Sequence, residues 1–184
     1  MLKIVDTNLV QQEFEVSEFG KLWLTEITYI RTAEGWLYLC SHQDAYNGEI
    51  VGYAMAQRMT RNLVLQSLLK AYALHKPSPG LIHHSDRGSQ YCAGEVREKL
   101  NTLGMKQSMS RKGNCYDNAP IESLWGKLKT ELVHHHRFTT RKEAAAAITE
   151  YLEVFYNRIR KQERLGYRSP VQYRNQQTRL QNAA

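Results

Sequence analysis

The chain is poor in cysteine and in long apolar runs, and both absences narrow its class. Its three cysteines, Cys40, Cys92 and Cys115, are odd in number, widely spaced and without a C-x-x-C pattern. This excludes a disulfide framework and a cysteine-rich zinc site, and it predicts reduced thiols in a cytoplasmic protein. No apolar run reaches the roughly 18 residues that span a bilayer, so we expect no membrane partner.

The composition fits one globular domain with a basic surface. The 184 residues are 42% hydrophobic and 10% aromatic, which is enough for a proper core. Lys and Arg number 25 against 18 Asp and Glu, which gives a formal charge of +7. A basic balance favours a polyanionic partner such as nucleic acid, although many basic proteins never bind one.

The first half of the chain reads as an antiparallel meander followed by a crossover. Three segments are rich in β-branched, aromatic and aliphatic residues, and Asn47-Gly48 before the third is a strong hairpin signal. A segment with apolar residues at helical spacing follows, and then a short apolar run that we interpret as a strand. The resulting strand–helix–strand crossover requires its two strands to lie parallel in the sheet. The predicted elements are strands at 22–30, 36–45, 49–55 and 81–84 and a helix at 62–74.

The second half reads as mainly helical. We predict a helix at 94–103, a fifth strand at 106–109, a mobile loop at 110–118 and a long helix at 141–156, whose run of four alanines has high helix propensity. The fold class is therefore α/β, with a five-stranded mixed sheet flanked by helices.

Two acidic residues lie at positions where secondary structure would hold a carboxylate in a defined place, one at the end of a strand and one at the start of a helix. Asp86 follows a short apolar strand, at the end where open α/β sheets place ligands. Glu122 falls in the first turn of a helix in which Asn118 or Ala119 is the cap and Pro120 suits the first position. Two hard oxygen ligands in a basic chain indicate Mg²⁺ and phosphodiester chemistry. Taken singly, each acid is more often structural, since turns and helix N-termini favour acids anyway.

Other residue types have competing interpretations. Asp44 could approach an acid on the first strand, but an Asp at a strand end is more often structural. Residues 134–136 are three adjacent histidines that point in different directions, so a solvated helix end is favoured over a metal site. Tyr29, Tyr91 and Tyr116 could stack on bases.

Several basic residues are candidates for contact with DNA. Lys129 lies two helical turns beyond Glu122 on the same face, whereas Lys127 lies off to one side. Others stand in the predicted loop or after the long helix, and ordinary solvated side chains are the alternative for all of them. The DNA-binding candidates are Arg111, Lys112, Lys127, Lys129, Arg158, Arg160 and Lys161.

The sequence motifs around the two acids resemble those of a known family. In order along the chain these are residues 23–30 (WLTEITYI), 84–91 (HSDRGSQY), 108–122 (SMSRKGNCYDNAPIE) and 156–158 (YNR). They resemble the catalytic core of insertion-sequence transposases made from two overlapping frames, whose second product carries a retroviral-integrase-like core. The resemblance covers roughly residues 14–173 and is far more specific than a two-acid match.

The resemblance implies a ribonuclease-H-like (integrase core) fold and a DDE triad that holds two divalent metals, Mg²⁺ or Mn²⁺. By position, the catalytic and metal-binding acids are then Glu26, Asp86 and Glu122. The family has an Asp in the motif Trp-x-Thr-Asp-Ile-Thr-Tyr, and in this chain Glu26 occupies the position of that Asp. Its side chain is one methylene longer, and two-metal sites tolerate little displacement.

Two functions follow as expectations. The first is a transposase catalytic core that cleaves element ends and transfers strands into target DNA, with self-association as a dimer or higher oligomer. The alternative is a catalytically impaired DNA-binding remnant, because Glu26 replaces Asp and no helix-turn-helix pattern fits before the first strand. A generic ribonuclease-H-type nuclease is a weaker third. We expect a nucleoid-associated bacterial protein with a lead-in at 1–20, a catalytic core at 21–135 and a C-terminal helical extension at 136–184.

Overall fold

A five-stranded mixed sheet forms the centre of the fold in this computed structural model, which describes residues 7–111 and 115–183. The strands lie in the order β3-β2-β1-β4-β5. The first three strands pair antiparallel, whereas β4 runs parallel to β1 and β5 runs parallel to β4. This confirms the predicted meander, crossover and mixed sheet. The strands are β1 (Leu22–Thr32), β2 (Gly35–Asp44), β3 (Ile50–Ala56), β4 (Ile82–Ser85) and β5 (Lys106–Met109).

The described residues form five α-helices, four of which pack on the two faces of the sheet. They are α1 (Arg61–His75), α2 (Gly94–Thr102), α3 (Ala119–Glu131), α4 (Arg141–Glu150) and α5 (Pro170–Ala183). Two details differ from the sequence prediction. The long helix changes at its middle, because α4 continues as a π-helical segment over Tyr151–Ile159. The end of the predicted loop is also ordered, because Cys115–Asn118 forms a 3₁₀ turn that leads directly into α3.

The core has two layers because successive side chains of a strand point to opposite faces. Trp23 and Leu24 are neighbours in β1 and both are fully buried. Trp23 belongs to the layer that packs under α1 and α2, and Leu24 to the layer under α3 and α4. β1 is thus covered on both sides, which holds the residues that follow Leu24 in a fixed position.

One glycine permits the close approach of α1 to the sheet. A Cβ atom built at Gly52 in β3 would lie 2.6 Å from the Cβ and the backbone nitrogen of Ala71. That separation is far below van der Waals contact, so any larger residue would push the helix away. Among the helices in the described part of the chain, none is long and apolar enough to cross a membrane.

Candidate active site

β1 and β4 bring the first two predicted acids to neighbouring positions. The parallel register pairs Thr25 with Ser85, so that Glu26 and Asp86 stand at the next step along the two strands. β4 ends at Ser85, and the exposed Asp86 turns into a loop in which its Oδ1 accepts a hydrogen bond from Gly88 N at 2.9 Å. The crossover between β1 and β4 is therefore what joins acids that lie 60 positions apart in number.

The third acid is positioned by the start of α3. Asn118 occupies the N-cap position but makes no side-chain cap bond. Its Nδ2 instead donates to the carbonyl oxygen of Thr25 at 3.2 Å, the residue before Glu26. A second tie comes from His84 in β4, whose Nε2 lies 2.8 Å from the carbonyl oxygen of Asp117. These contacts hold the first turn of α3, and with it Glu122, against the middle of β1 and the end of β4.

The electrostatics of Glu26 show that the three acids act on one another. Burial, and then the negative charges of Glu122 and Asp86, raise the pKa of Glu26 to about 7. The Trp125 indole and the Lys129 ammonium offset part of this rise. The indole stops short of a hydrogen bond, because Glu26 Oε2 and Trp125 Nε1 are both buried without a partner among the described residues. Glu26 therefore holds a buried carboxylate oxygen that accepts no hydrogen bond from the part of the chain that the structure describes.

This donor set fits a divalent cation. Carboxylate oxygens are the ligands that Mg²⁺ and Mn²⁺ prefer, and a buried oxygen without a donor next to two further carboxylates is the environment that such an ion would relieve. Within residues 7–111 and 115–183, no three His, Cys, Asp or Glu side chains already stand in an arrangement that could hold a metal ion. Glu26, Asp86 and Glu122 are close enough to interact electrostatically, and they would have to shift to share an ion.

A cluster of hydrogen bonds around Asp117 stabilises the segment that precedes α3. Arg111 donates to the Asp117 carboxylate from its backbone nitrogen and from two guanidinium nitrogens, at 2.7 to 3.1 Å. The side-chain amides of Asn8 and Gln12 add bonds of 3.0 and 2.9 Å. These donors cover the carboxylate, and the Arg111 guanidinium holds the pKa of Asp117 well below its usual range. The sequence motif contains Asp117, but nothing in it indicates these partners.

Buried histidines lie behind the acids. His83 is fully buried, as expected for a core residue, and its Nε2 lies 3.0 Å from Nε2 of His42. Burial lowers the pKa of His83 to about 3 and that of His42 well below its usual value. His84 contacts Ser108 Oγ through Nδ1 at 2.8 Å, so both of its ring nitrogens are engaged in positioning the site. Burial lowers its pKa as well.

The two lysines of α3 lie on opposite flanks of the helix. Lys129 is on the flank of Glu122, where its Nζ lies 5.6 Å from the centre of the Tyr29 ring. Lys127 lies on the other flank, where burial and the positive charges of Arg160 and Arg164 lower its pKa. The structure therefore brings Lys129 to the three acids and places Lys127 in a separate basic group.

The remaining predicted DNA contacts are dispersed. The Arg111 side chain keeps 58% of its surface exposed while it pairs with Asp117. Arg160 makes a bidentate pair with Glu131, with both Nε and Nη2 within 2.9 Å of carboxylate oxygens. Arg158 lines a groove between β3, α1 and α5, away from the acids. Lys161 is exposed, and Lys112 lies outside the described residues.

Several other sequence candidates can be placed. Asp44 pairs with Trp23 in the sheet and is fully buried, where it accepts a bond from the Trp23 indole at 3.0 Å, so it is a structural acid beside the start of β1. Residues 134–136 are exposed at the end of a 3₁₀ turn. Tyr91 is buried with its hydroxyl 3.2 Å from Thr25 Oγ1, which removes its ring from any base. The side chain of Tyr116 lies outside the described residues.

Sequence comparisons identify the family. A model described as integrase core domain matches residues 17–115, and a second integrase core domain model matches residues 122–178. The chain is 52% identical over 170 residues to an uncharacterised 31 kDa protein of insertion element IS600 from Shigella sonnei, covering 92% of this chain and 62% of that protein. It is 43% identical over 166 residues to the transposase of IS904 from Lactococcus lactis, covering 90% and 66%. The chain thus spans about three fifths to two thirds of these curated relatives.

Structural comparisons agree on the fold. A simian T-cell lymphotropic virus intasome chain matches with a TM-score of 0.70 at 15% identity, covering 93% of this chain and 59% of that one. The catalytic core domain of HTLV-2 integrase, solved in complex with magnesium, matches with a TM-score of 0.64 at 14% identity, covering 84% and 96%. The fold is ribonuclease-H-like, as the resemblance implied. The chain belongs to the integrase core domain family, and it is similar in sequence to proteins of insertion elements, among them the IS904 transposase.

Proposed function

We propose that this chain acts in DNA transposition through metal-dependent cleavage of element ends and strand transfer into target DNA, with Glu26, Asp86 and Glu122 as the catalytic and metal-binding residues. One observation carries the proposal. Acids from the middle of β1, the end of β4 and the first turn of α3 act electrostatically on one another, and one Glu26 oxygen is buried without a hydrogen-bond donor among the described residues.

Each residue of the site has a separate task. Glu26 supplies the largely buried carboxylate that interacts with the other two acids, and the exposed Asp86 and Glu122 supply further ligands. Bound Mg²⁺ or Mn²⁺ ions would activate the attacking oxygen and stabilise the leaving one. Asn118 and His84 position α3 against the strands, so that Glu122 keeps its place without being part of the sheet. Lys129 adds a positive charge beside the acids, where a phosphate would enter.

DNA is the partner that this charge pattern favours, because the chain carries a net charge of +7 and Lys129 stands beside the acids. Lys127, Arg160 and Arg164 form a second basic group, suited to a phosphate backbone farther from the reaction. We place the catalytic core at 21–135, with a lead-in at 1–20 and a helical extension at 136–184. Self-association belongs to this proposal too, since the HTLV-2 integrase core was solved in dimeric and trimeric forms.

The test is nicking of a supercoiled plasmid in Mg²⁺ or Mn²⁺, which requires no knowledge of the element ends. Asp86→Asn and Glu122→Gln should each abolish nicking. Glu26→Asp should raise it by about tenfold or more, because a misplacement of about 1 Å can cost roughly a hundredfold. Mn²⁺ should partly rescue the unchanged chain, since Mg²⁺ demands more ideal octahedral geometry. Glu98→Gln, an exposed acid on α2, is the matched control and should not change the rate.

A second function is favoured by Glu26 itself. If the longer side chain prevents the acids from sharing ions, the chain is a DNA-binding remnant without catalysis. This alternative predicts salt-dependent binding to duplex DNA together with no nicking by the unchanged chain in either metal. Activity restored by Glu26→Asp would identify the remnant, and equal robust nicking by both versions would rule it out.

A further inference from the structure

An aromatic surface lies on the β1–β2 hairpin, close to the acids. Tyr29 is 54% exposed and Trp36 is 41% exposed, although aromatic side chains of this size are usually buried. Their ring centres are 5.0 Å apart with the planes at 80°, and the Tyr38 ring centre lies 6.5 Å from that of Tyr29. The sheet register explains the grouping. Tyr29 pairs with Tyr38 and Arg31 pairs with Trp36, so these side chains leave the same face.

Two cations flank these rings. The Arg31 guanidinium carbon lies 5.6 Å from the centre of the Trp36 ring, and Lys129 Nζ lies 5.6 Å from the centre of the Tyr29 ring. Neither cation has a salt bridge to a carboxylate among the described residues. The one acid in the hairpin turn, Glu34, accepts a bond from Arg141 N at 2.9 Å. The surface therefore combines aromatic faces with unpaired positive charge.

The hairpin holds this surface rigidly. Arg141 Nε donates to the carbonyl oxygen of Trp36 at 3.0 Å, and Ala33 N donates to that of Phe138 at 3.0 Å, so the tip is fixed to the segment before α4 and to its first turn. Tyr29 is three residues beyond Glu26 on β1, about 10 Å along the strand, so its side chain leaves the opposite face of the sheet. Lys129 connects the two, because its Nζ lies 5.6 Å from the centre of the Tyr29 ring and its charge acts on Glu26. The rigid stacking surface therefore meets the acid site at Lys129.

We propose that Tyr29 and Trp36 form a stacking site for an unpaired base of the DNA strand that enters the active site, with Arg31 and Lys129 on its phosphates. This rests on the proposed function, since the strand is the one whose phosphodiester reaches the three acids. Aromatic faces beside cations are the chemistry that single-stranded nucleic acid recognises, whereas the bases of an intact duplex offer no free face.

The experiment measures binding in EDTA, where no cleavage occurs. Fluorescence anisotropy compares a labelled 20-base-pair duplex that carries a five-nucleotide single-stranded overhang with the blunt duplex. The unchanged chain should prefer the overhang, and Tyr29→Ala should reduce that preference by roughly five- to a hundredfold, the range for loss of one stacking ring. Tyr29→Phe should retain the preference. Tyr167→Ala is the matched control, because Tyr167 is 67% exposed and lies in the C-terminal part of the chain.

A second measurement protects the test against a misfolded variant. Trp23 and Trp125 are buried, so Trp36 is the exposed tryptophan, and the overhang should quench its fluorescence in the unchanged chain but not in Trp36→Phe. Equal binding of both duplexes, or quenching that survives Trp36→Phe, would overturn the stacking site. A change in sedimentation rather than in DNA binding for Tyr29→Ala would instead identify a contact between copies. Plasmid nicking is measured separately, so failure of catalysis and failure of stacking are distinguished.

Discussion

Acid should destabilise the protein through its buried histidine pair, and His83→Gln should remove about half of that effect. His42 and His83 contact each other through Nε2 and are fully buried. Burial lowers the pKa of His83 to about 3 and that of His42 well below its usual value. In the unfolded chain both would titrate near 6.5. Below that pH the unfolded state binds protons that the folded state excludes, so the free energy of unfolding falls as the pH falls.

The magnitude follows from the linkage relation. Between pH 7.5 and 5.0, one histidine that stays neutral in the fold costs about 2 kcal/mol of stability, and the pair costs about 4 kcal/mol. Glu26 and Asp44 act in the opposite direction over the same range, because burial raises each pKa to about 7. For these acids the folded state binds more protons than the unfolded state, and stability is lost as the pH rises towards 7. The wild-type profile is therefore a balance, and only a comparison with a variant isolates the histidine contribution.

The assay is urea unfolding of the wild type and His83→Gln at pH 7.5 and 5.0. The amide of Gln can still contact His42 but does not titrate. The variant should be less stable at pH 7.5, and its deficit should shrink by about 2 kcal/mol at pH 5.0. His134→Gln, the same change at an exposed site, should keep the wild-type difference. An equal deficit at both pH values would mean that His83 is charged in the fold, which would refute the reasoning.

Three other variants test other parts of the structure. Glu26→Gln should raise the free energy of unfolding at pH 8 by roughly 1–3 kcal/mol in EDTA while it abolishes nicking, because it removes a buried charge beside two others; unchanged stability in urea would contradict this. Asp117→Asn should lower that free energy by about 2 kcal/mol, since the carboxylate receives five hydrogen bonds, and a loss below about 0.5 kcal/mol would contradict the cluster. Reversing Lys127 and Lys129 to Glu should weaken DNA binding across sequences and flatten its salt dependence; an unchanged slope would place DNA elsewhere.

The elements that position the site could be predicted because each has a local cause. Asn47-Gly48 marks the hairpin between β2 and β3, and Pro120 marks the start of α3. The crossover rule then makes β4 parallel to β1, which brings Asp86 level with Glu26 in the middle of β1. None of these steps requires knowledge of contacts between distant residues.

The other parts of the site depend on such contacts and could not be predicted. Asp117 is held by Asn8, which lies more than 100 positions earlier, and no spacing rule links the two. Tyr91 is buried because it packs in the layer under α1 and α2, whereas Tyr29 lies outside that layer and is exposed, and this difference depends on contacts between distant elements. The π-helical segment after α4 has no composition that separates it from an ordinary helix.

The bonds from Asn8 and Gln12 to Asp117 make residues 8–12 a structural part of the candidate active site. The integrase core match begins at residue 17, which is a natural point at which to start a shortened protein. A protein that starts at residue 17 would lack the side-chain amides of Asn8 and Gln12. Asp117, in the 3₁₀ turn that leads into α3, would then keep only its hydrogen bonds from Arg111. In a crystal structure of such a fragment, α3 and Glu122 would be less firmly held, and the cause would be the truncation. Expression of the core for structural work should therefore retain the chain from at least Asn8.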